Sequence, residues 1–400
     1  MNETWKIVTS VNPIYYAISP ISMAFRTIHC LPILLKPKQR DWMYNKYKEK
    51  ALPCDVTFHE DSYSSFQFVQ YHFRHKDFLH TIHYKLHAWS RKNFHCDAII
   101  ITRSGSAKQF VMKAVKMKPS VLIGQSTHLF VLFPETSEFI GFLDHYYCDG
   151  IILFDLFKHL FEEINFKLPF PKYNYYPVFS DALAAQYIAS VTYDNCVNPS
   201  LITQYDKTRI LSRIVKQEDS PYWNRWFNYA MNVLPIFECT KGLRYARVAL
   251  SVGIDADSTF GNNRIGAIIV LITRPPKSWT YKTKIMYLME QFETQVTKNY
   301  KDCITTYDIA RSYNTSLLRK IMSTKLVDIF ITSMFVPVKI AGFDYALGAF
   351  VGNHYDYPFF YVNSMTVFDE CSSGFTTNWK QFNHKKYVSD FDAKLMYTFD

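Results

Sequence analysis

Alternating and periodic hydrophobic positions predict that strands and helices alternate along the first part of the chain. Residues 57–97 fit a strand followed by a helix, whose apolar residues repeat at helical spacing on one face: Leu79, Ile82, Leu86 and Trp89. An apolar run then stands at 98–101, and further short apolar runs predict strands at 121–123, 129–133 and 139–143. A second amphipathic helix is predicted directly after residue 150, because apolar residues again share one stripe: Leu153, Leu156, Phe157, Leu160, Phe161 and Ile164.

The second part of the chain repeats this mixture after a proline-rich interruption. Pro169, Pro171 and Pro177 cannot continue a helix, so residues 168–217 are interpreted as a crossover linker. Beyond it the patterns predict strands at 246–250 and 265–272, helices between 282 and 322, and a strand from Ile329. A length of 400 residues exceeds that of most single domains. We therefore predict an α/β protein of two packed subdomains, residues 1–167 and residues 218–400.

Composition and charge narrow the possible partners. The chain is 48% hydrophobic and 20% charged, which indicates a folded protein with a large core. Lys and Arg outnumber Asp and Glu by 45 to 35, and the net charge of +10 favours an anionic partner such as a nucleotide, a phosphorylated cofactor, nucleic acid or a membrane surface. The basic residues form no long run or tail, and no recognition helix or zinc finger is found. We therefore expect no nucleic-acid partner.

The cysteines and the apolar segments bear on location. The eight cysteines lie far apart with no CxxC pair, which indicates free thiols in a reducing compartment, and a cytoplasmic location is expected. The first residues lack a basic region, so no signal peptide is expected. The apolar stretch from Ile7 to Leu35 is interrupted by prolines and polar residues. It is therefore interpreted as core, and no transmembrane segment is predicted.

His145 is the main candidate for a catalytic residue. It follows the apolar run 139–143 directly and precedes Asp149 and Gly150, at the turn into the next predicted helix. Imidazole takes and returns a proton near neutral pH, Asp stabilises a turn or pairs with arginine, and Gly lets the chain turn sharply. The alternative is a structural histidine at a strand end. A metal site is not predicted, since His83 and His87 at i, i+4 spacing have no HExxH pattern or matching acid.

Several short motifs resemble one enzyme family. The segment from Leu143 to Gly150 resembles the HxxxDG signature of the chloramphenicol acetyltransferase-like (CAT-like) superfamily, which includes BAHD acyltransferases, wax-ester synthases and the condensation domains of peptide synthetases. Further matches follow in the family's order: Phe260-Gly261-Asn262 for its F-G-N segment, Ile331-Thr332-Ser333 for its serine-bearing strand, and Asp344 with a shifted Gly348 for its D-F-G-W-G motif. The resemblance covers essentially the whole chain.

The resemblance implies an architecture and a reaction. It implies two CAT-like subdomains, each a mixed β-sheet with flanking helices, and an active-site channel between them. His145 would act as the general base of an acyltransferase that moves an acyl group from acyl-CoA to a hydroxyl or amine acceptor. Asp149 would shape the turn by pairing with an arginine, and Ser333 and the backbone near Gly348 would stabilise the oxyanion.

Two points stay open within that family. The acyl donor is either acyl-CoA or an acyl-phosphopantetheine on a carrier protein, as condensation domains use, and in both cases the thioester is a co-substrate with no permanently bound cofactor. The alternative to an enzyme is a catalytically inactive CAT-like fold kept as a binding or structural protein. The degenerate D-F-G-W-G motif and Asp144, which stands where many relatives carry a first histidine, motivate that alternative.

Overall fold

A computed structural model describes a little more than half of the chain. The described residues are 66–73, 78–94, 96–105, 107, 128–144, 150–160, 197–216, 224–253, 265–299, 327–336, 343–351 and 357–398. Their helices are α1 (Phe78–Phe94), α2 (Gly150–Leu160), α3 (Arg225–Cys239), α4 (Tyr281–Lys298) and α5 (His384–Asp390). Their strands are β1 (Phe66–Phe73), β2 (Ile99–Thr102), β3 (His128–Phe133), β4 (Glu138–Asp144), β5 (Tyr205–Lys216), β6 (Tyr245–Gly253), β7 (Ile265–Thr273), β8 (Ile329–Val336), β9 (Phe343–Val351), β10 (Phe360–Val367), β11 (Glu370–Trp379) and β12 (Lys394–Thr398).

Most of the predicted elements are confirmed. The strands expected at 129–133 and 139–143 are β3 and β4, and those expected in the second part are β6, β7 and β8. The apolar run at 98–101 forms a further strand, β2. The predicted amphipathic helices are α1, α2 and α4, and Ile82, Leu86 and Trp89 of α1 are fully buried. The strand predicted at 121–123 and the helical pattern at 300–322 lie outside the described residues.

The strands form two mixed sheets. The first has five strands in the order β2-β3-β4-β1-β9, with β2 parallel to β3 and the other neighbours antiparallel. The second has seven strands in the order β12-β5-β11-β10-β8-β6-β7, in which β8 runs parallel to both β10 and β6. Every residue of β3 and β11 is buried, as expected for interior strands covered on both faces.

Helix α3 supplies much of the core that covers the seven-stranded sheet. Asn224 is its N-cap, and the Asn224 side-chain oxygen accepts a hydrogen bond of 2.9 Å from the Phe227 N–H. Phe227 to Phe237 are all buried, so the helix shows no exposed face along this stretch. Helix α4 packs beside α3 and buries one stripe: Ile285, Leu288, Phe292 and Val296.

Helix α4 also closes the outer edge of β7, the last strand of the seven-stranded sheet. The Gln295 side chain accepts from the Leu271 N–H at 2.9 Å and donates to the Leu271 carbonyl at 2.6 Å. Gln291 makes the same pair of bonds with Thr273, at 2.9 and 3.1 Å. These two amides imitate a neighbouring strand, and they satisfy backbone groups that an open edge would present to other chains.

Two strands, β9 and β5, lie where their positions along the chain would not suggest. Strand β9 follows β8 in the chain, yet it joins the five-stranded sheet by pairing with β1, where Gly348 is opposite Val69. It also contacts β10 and β11, so it links the two sheets. Residues 205–216, placed at the end of the predicted linker 168–217, form β5 inside the seven-stranded sheet. The boundaries at 167 and 217 remain a prediction.

Candidate active site

The HxxxDG-like motif lies between two described elements. Strand β4 ends at Asp144 and α2 begins at Gly150, as the sequence predicted, so residues 145–149 form the connection. His145 and Asp149 themselves lie outside the described residues, as do Gly261 and Asn262. Strand β4 is paired on both sides, by β1 and β3 up to Asp144 and Leu143. The backbone entering the motif is therefore held by two ladders.

The helix after the motif is attached to α1 by a polar seam. Trp89 Nε1 donates to Asp155 Oδ2 at 3.1 Å, and Asn93 Nδ2 lies 3.3 Å from the same oxygen. Lys85 Nζ donates to the Leu160 carbonyl at 3.0 Å, at the C-terminal end of α2, where a positive charge is favourable. His159 Nε2 lies 3.0 Å from the Lys85 carbonyl. These bonds fix the chain on the other side of the motif.

A second histidine lies beside the motif and has a structural role. His128 begins β3 opposite Leu143, is fully buried, and stacks on Phe94 with ring centroids 4.6 Å apart. The Ser90 hydroxyl donates its one proton to the Cys96 carbonyl at 2.8 Å, so the 2.6 Å bond between Ser90 and His128 must be donated by the imidazole Nε2–H. Burial lowers the pKa of His128 to about 3, and the ring is neutral at physiological pH.

Among the described residues, the seven-stranded sheet has an opening at Ser333, where β8 has no paired neighbour on the side of β6. Strand β8 pairs with β10 as far as Val336, but its pairing with β6 ends at Ile331, opposite Leu250. Residues 332–335 are only half-buried, although β8 is an interior strand. The Ser251 hydroxyl spans the start of this gap, 3.3 Å from the Ile331 carbonyl. Helix α2, which follows the motif, contacts β8.

Ser333 is the oxyanion candidate whose side-chain contacts the structure describes. Its Oγ accepts a hydrogen bond from Asn228 Nδ2 of α3. Gly348, the second oxyanion candidate, and Asp344, a predicted structural residue of the motif, lie on β9 in the five-stranded sheet, and only their backbone is described. The structure therefore places Ser333 and Gly348 in different sheets, which β9 connects through its contact with β10.

Sequence reasoning missed two polar residues at this site. Asn228 and Asn232 are buried on α3 beneath the sheet. Asn232 Nδ2 donates to Asn228 Oδ1 at 2.9 Å, and the Ser373 hydroxyl donates to Asn232 Oδ1 at 2.5 Å. The sequence does carry a signal for them: the two asparagines stand four residues apart in a segment that is otherwise almost entirely apolar. Buried amides require partners, so such a pair indicates a polar contact inside the core.

The described part of the chain shows neither a metal cluster nor a membrane span. Within it, no group of three or more His, Cys, Asp or Glu side chains is placed to hold a metal ion. His83 and His87 have ring centroids 5.0 Å apart, but the adjacent acid, Asp97, is engaged by Arg91 Nε at 2.5 Å. None of the described helices has both the length and the apolar composition that crossing a bilayer requires.

Comparisons with known proteins identify the fold. No protein-family model matches the sequence, and no curated protein sequence matches it. Among solved structures, the trichothecene 15-O-acetyltransferase TRI3 of Fusarium sporotrichioides is similar at 9% identity, over 86% of this chain and 94% of that chain, with a TM-score of 0.55. A variant of the starter condensation domain of the rhizomide synthetase RzmA, in complex with C8-CoA and Leu-SNAC, is similar at 10% identity, over 86% and 90% of the two chains, with a TM-score of 0.48.

The chain has a CAT-like fold. The similarity to the Fusarium acetyltransferase extends over nearly the whole of both chains, and the two mixed sheets with flanking helices agree with it. The fold class implied by the HxxxDG-like segment is therefore confirmed. The catalytic residues and the reaction are separate questions, because one fold supports many functions.

Proposed function

We propose that this protein is an acyltransferase that moves an acyl group from a thioester to a hydroxyl or amine acceptor, with His145 as the general base. The observation that carries the proposal is the position of His145 between β4 and α2, in a chain whose fold is shared with an acetyltransferase. The half-buried opening of β8 beside α2 is a suitable wall for a channel between the predicted subdomains 1–167 and 218–400.

In the proposed reaction His145 removes the proton from the acceptor. The acceptor oxygen or nitrogen forms a bond to the thioester carbonyl carbon, and the carbonyl oxygen becomes an oxyanion. When this intermediate collapses, the carbon–sulfur bond breaks and the leaving thiolate takes the proton from the His145 imidazolium. No acyl-enzyme is needed. Asp149 and Gly150 shape the turn that holds His145, and general-base catalysis of this kind contributes about 100- to 10,000-fold.

The oxyanion needs hydrogen-bond donors aimed at it. Ser333 is our first candidate because its hydroxyl is half-buried at the opening of β8 and is held from behind by Asn228. The backbone near Gly348 is the second candidate. Asp344, Gly261 and Asn262 are proposed to support the motif structurally. Donors of this type act without reorganisation when the negative charge develops, and they stabilise the transition state most strongly in a site that excludes water.

We propose acyl-CoA as the thioester, and the cytoplasm as the location of the protein. Coenzyme A carries several phosphate charges, and a chain with a net charge of +10 attracts such a co-substrate. The rhizomide synthetase domain was solved with C8-CoA and Leu-SNAC bound, so an eight-carbon acyl-CoA is included beside acetyl-CoA in the test below. An acyl-phosphopantetheine on a carrier protein is the alternative donor.

The experiment is an assay of thiol release from acetyl-CoA and octanoyl-CoA with a panel of small alcohols and amines. Wild-type protein should release free thiol in an acceptor-dependent manner, and His145→Ala should lower kcat by about 100- to 10,000-fold. The matched control is His83→Ala, which removes an exposed histidine of α1 and should keep wild-type activity. Background release by both wild type and His145→Ala with every donor would instead favour the catalytically inactive CAT-like fold.

A further inference from the structure

We propose that Asn228 and Asn232 are positioning residues, which form a one-directional hydrogen-bond relay through the core and hold the Ser333 hydroxyl as a donor at the opening of β8. This inference rests on the proposed acyl transfer, in which Ser333 would donate to the oxyanion. The relay runs from Ser373 to Asn232, then to Asn228 and then to Ser333. Each member donates to the next.

The relay lies along a row of polar residues on the sheet face that α3 covers. Four residues stand in register across β5, β11, β10 and β8: Arg213, Ser373, Ser364 and Ser333. Residues directly opposite in neighbouring strands point to the same face of a sheet. Asn228 and Asn232 meet this row because they are one helical turn apart on α3, where side chains at i and i+4 share a face.

The orientation of the Asn228 amide follows from its donors. Its Oδ1 has three of them: Asn232 Nδ2 at 2.9 Å, Ser364 Oγ at 3.4 Å and Cys371 Sγ at 3.3 Å. Oxygen can accept these bonds and NH₂ cannot, so Oδ1 is on this side of the amide. The Nδ2 group is thereby left facing Ser333, and it donates to the Ser333 oxygen.

This donation determines what the Ser333 hydroxyl can do. A serine oxygen that accepts a bond still carries one proton, and that proton is directed away from the donor. Among the described residues, no acceptor is found for it. Ser364 and Ser373 are buried, whereas Ser333 is half-buried beside the end of the β6 ladder. Ser333 is thus the one member of the row whose proton can reach a substrate oxygen.

The direction of the relay should also strengthen Ser333 as a donor. Hydrogen bonds in a chain polarise one another when every donor points the same way, and the effect is larger inside a protein than in water. The row begins beside Arg213, whose Nη1 donates to the Met231 carbonyl at 3.4 Å. A positive charge at the start of the chain and a developing negative charge at its end both favour this polarisation.

The test is a double-mutant cycle on acyl transfer with Ser333→Ala and Asn228→Leu. Ser333→Ala should lower kcat about 100-fold, as for other oxyanion donors, with little change in KM. Asn228→Leu should lower kcat about tenfold in the wild-type background and less than about twofold in the Ser333→Ala background, because Asn228 acts only through that hydroxyl. Equal losses in both backgrounds would mean that Asn228 is merely structural, and would overturn the relay.

A matched control and a second readout keep the inference testable if Asn228→Leu folds poorly. Ser372→Ala removes a buried hydroxyl of β11 beside Ser373, on the opposite face of the sheet, and it should leave kcat within about twofold of wild type. In NMR spectra, Ser333→Ala should shift the Asn228 side-chain amide and speed its hydrogen exchange. An unchanged Asn228 amide would overturn the relay even if acyl transfer is confirmed, whereas a wild-type protein without acyl transfer would overturn both proposals.

Discussion

Two polar clusters of this protein are built from similar parts, yet they end differently. In the five-stranded half, Ser90 accepts from His128 and passes its own proton to the Cys96 carbonyl, so the hydroxyl is used entirely inside the protein. In the seven-stranded half, Ser333 accepts from Asn228, and the β6–β8 ladder ends two residues before it. The two serines therefore differ in one respect: an internal acceptor takes the proton of Ser90, whereas no described residue accepts the proton of the half-buried Ser333.

The largest expected effect separates the two serines by activity. Ser333→Ala should lower kcat about 100-fold through loss of an oxyanion donor. Ser90→Ala should leave kcat within about twofold, because that hydroxyl is fully buried and its proton is already donated. Both variants would be assayed by acceptor-dependent thiol release. An equal loss of activity in the two would break the comparison.

The second effect concerns the pH dependence of stability at the cluster of Ser90 and His128, called the closed cluster because an internal carbonyl accepts the Ser90 proton. The pKa of His128 is about 3 in the folded protein and is near 6.5 when the chain unfolds, so the unfolded state binds the extra proton between these values. The His128 contribution is fully present above pH 6.5 and is lost as the pH falls towards 3, by about 1.4 kcal/mol per pH unit. Between pH 6.5 and pH 5 this amounts to about 2 kcal/mol.

Urea unfolding at these pH values would measure that loss. His128→Gln should flatten the acid side of the stability profile, since the variant has no imidazole to protonate in the unfolded state. The change His83→Gln, at an exposed position of α1, should keep the wild-type profile. A profile of His128→Gln that matches wild type would show that another group is responsible.

The third effect is the thermodynamic cost of opening the closed cluster. Ser90→Ala leaves the buried His128 Nε2–H without its 2.6 Å partner, and an unsatisfied buried donor costs about 1.5 kcal/mol. Ser333→Ala also removes the acceptor of the buried Asn228 Nδ2 group, but it should cost under about 0.5 kcal/mol, because water can enter the half-buried position and accept that hydrogen bond instead. Thermal and urea unfolding of both variants would be compared with wild type. A larger loss of unfolding free energy for Ser333→Ala than for Ser90→Ala would contradict the distinction between the two serines.

The smallest effect concerns the edge of the seven-stranded sheet. Gln295→Ala removes both side-chain bonds to Leu271 and should lower the free energy of unfolding by about 1 kcal/mol. It should also increase concentration-dependent aggregation, since part of the β7 edge becomes free to pair with other chains. Light scattering would measure this, with Glu293→Ala, an exposed α4 position, as the control. Unchanged stability and scattering would show that Gln295 does not protect the edge.

The elements that the sequence predicted well are those with a clear local pattern of apolar residues. Strands β3, β4 and β7 are continuous apolar runs, and α1, α2 and α4 carry an apolar stripe, so near neighbours are enough to recognise them. Helix α3 was not predicted: it is buried on nearly all sides and contains Pro235, a residue that disfavours a helix interior. Strand β5 was assigned to the linker because prolines and polar residues precede it and because its own residues show no clear alternation.

The sequence by itself determined the local framework: the strand, short turn and helix around His145, and through the resemblance of that segment the fold class. Only the tertiary structure decided which distant segments meet. Strand β9 joins β1, the β6–β8 ladder stops beside Ser333, and Asn228 reaches Ser333 across 105 residues of chain. The physical reason is that periodicity reports a residue's near neighbours, whereas sheet pairing and buried hydrogen bonds depend on which surfaces exclude water together.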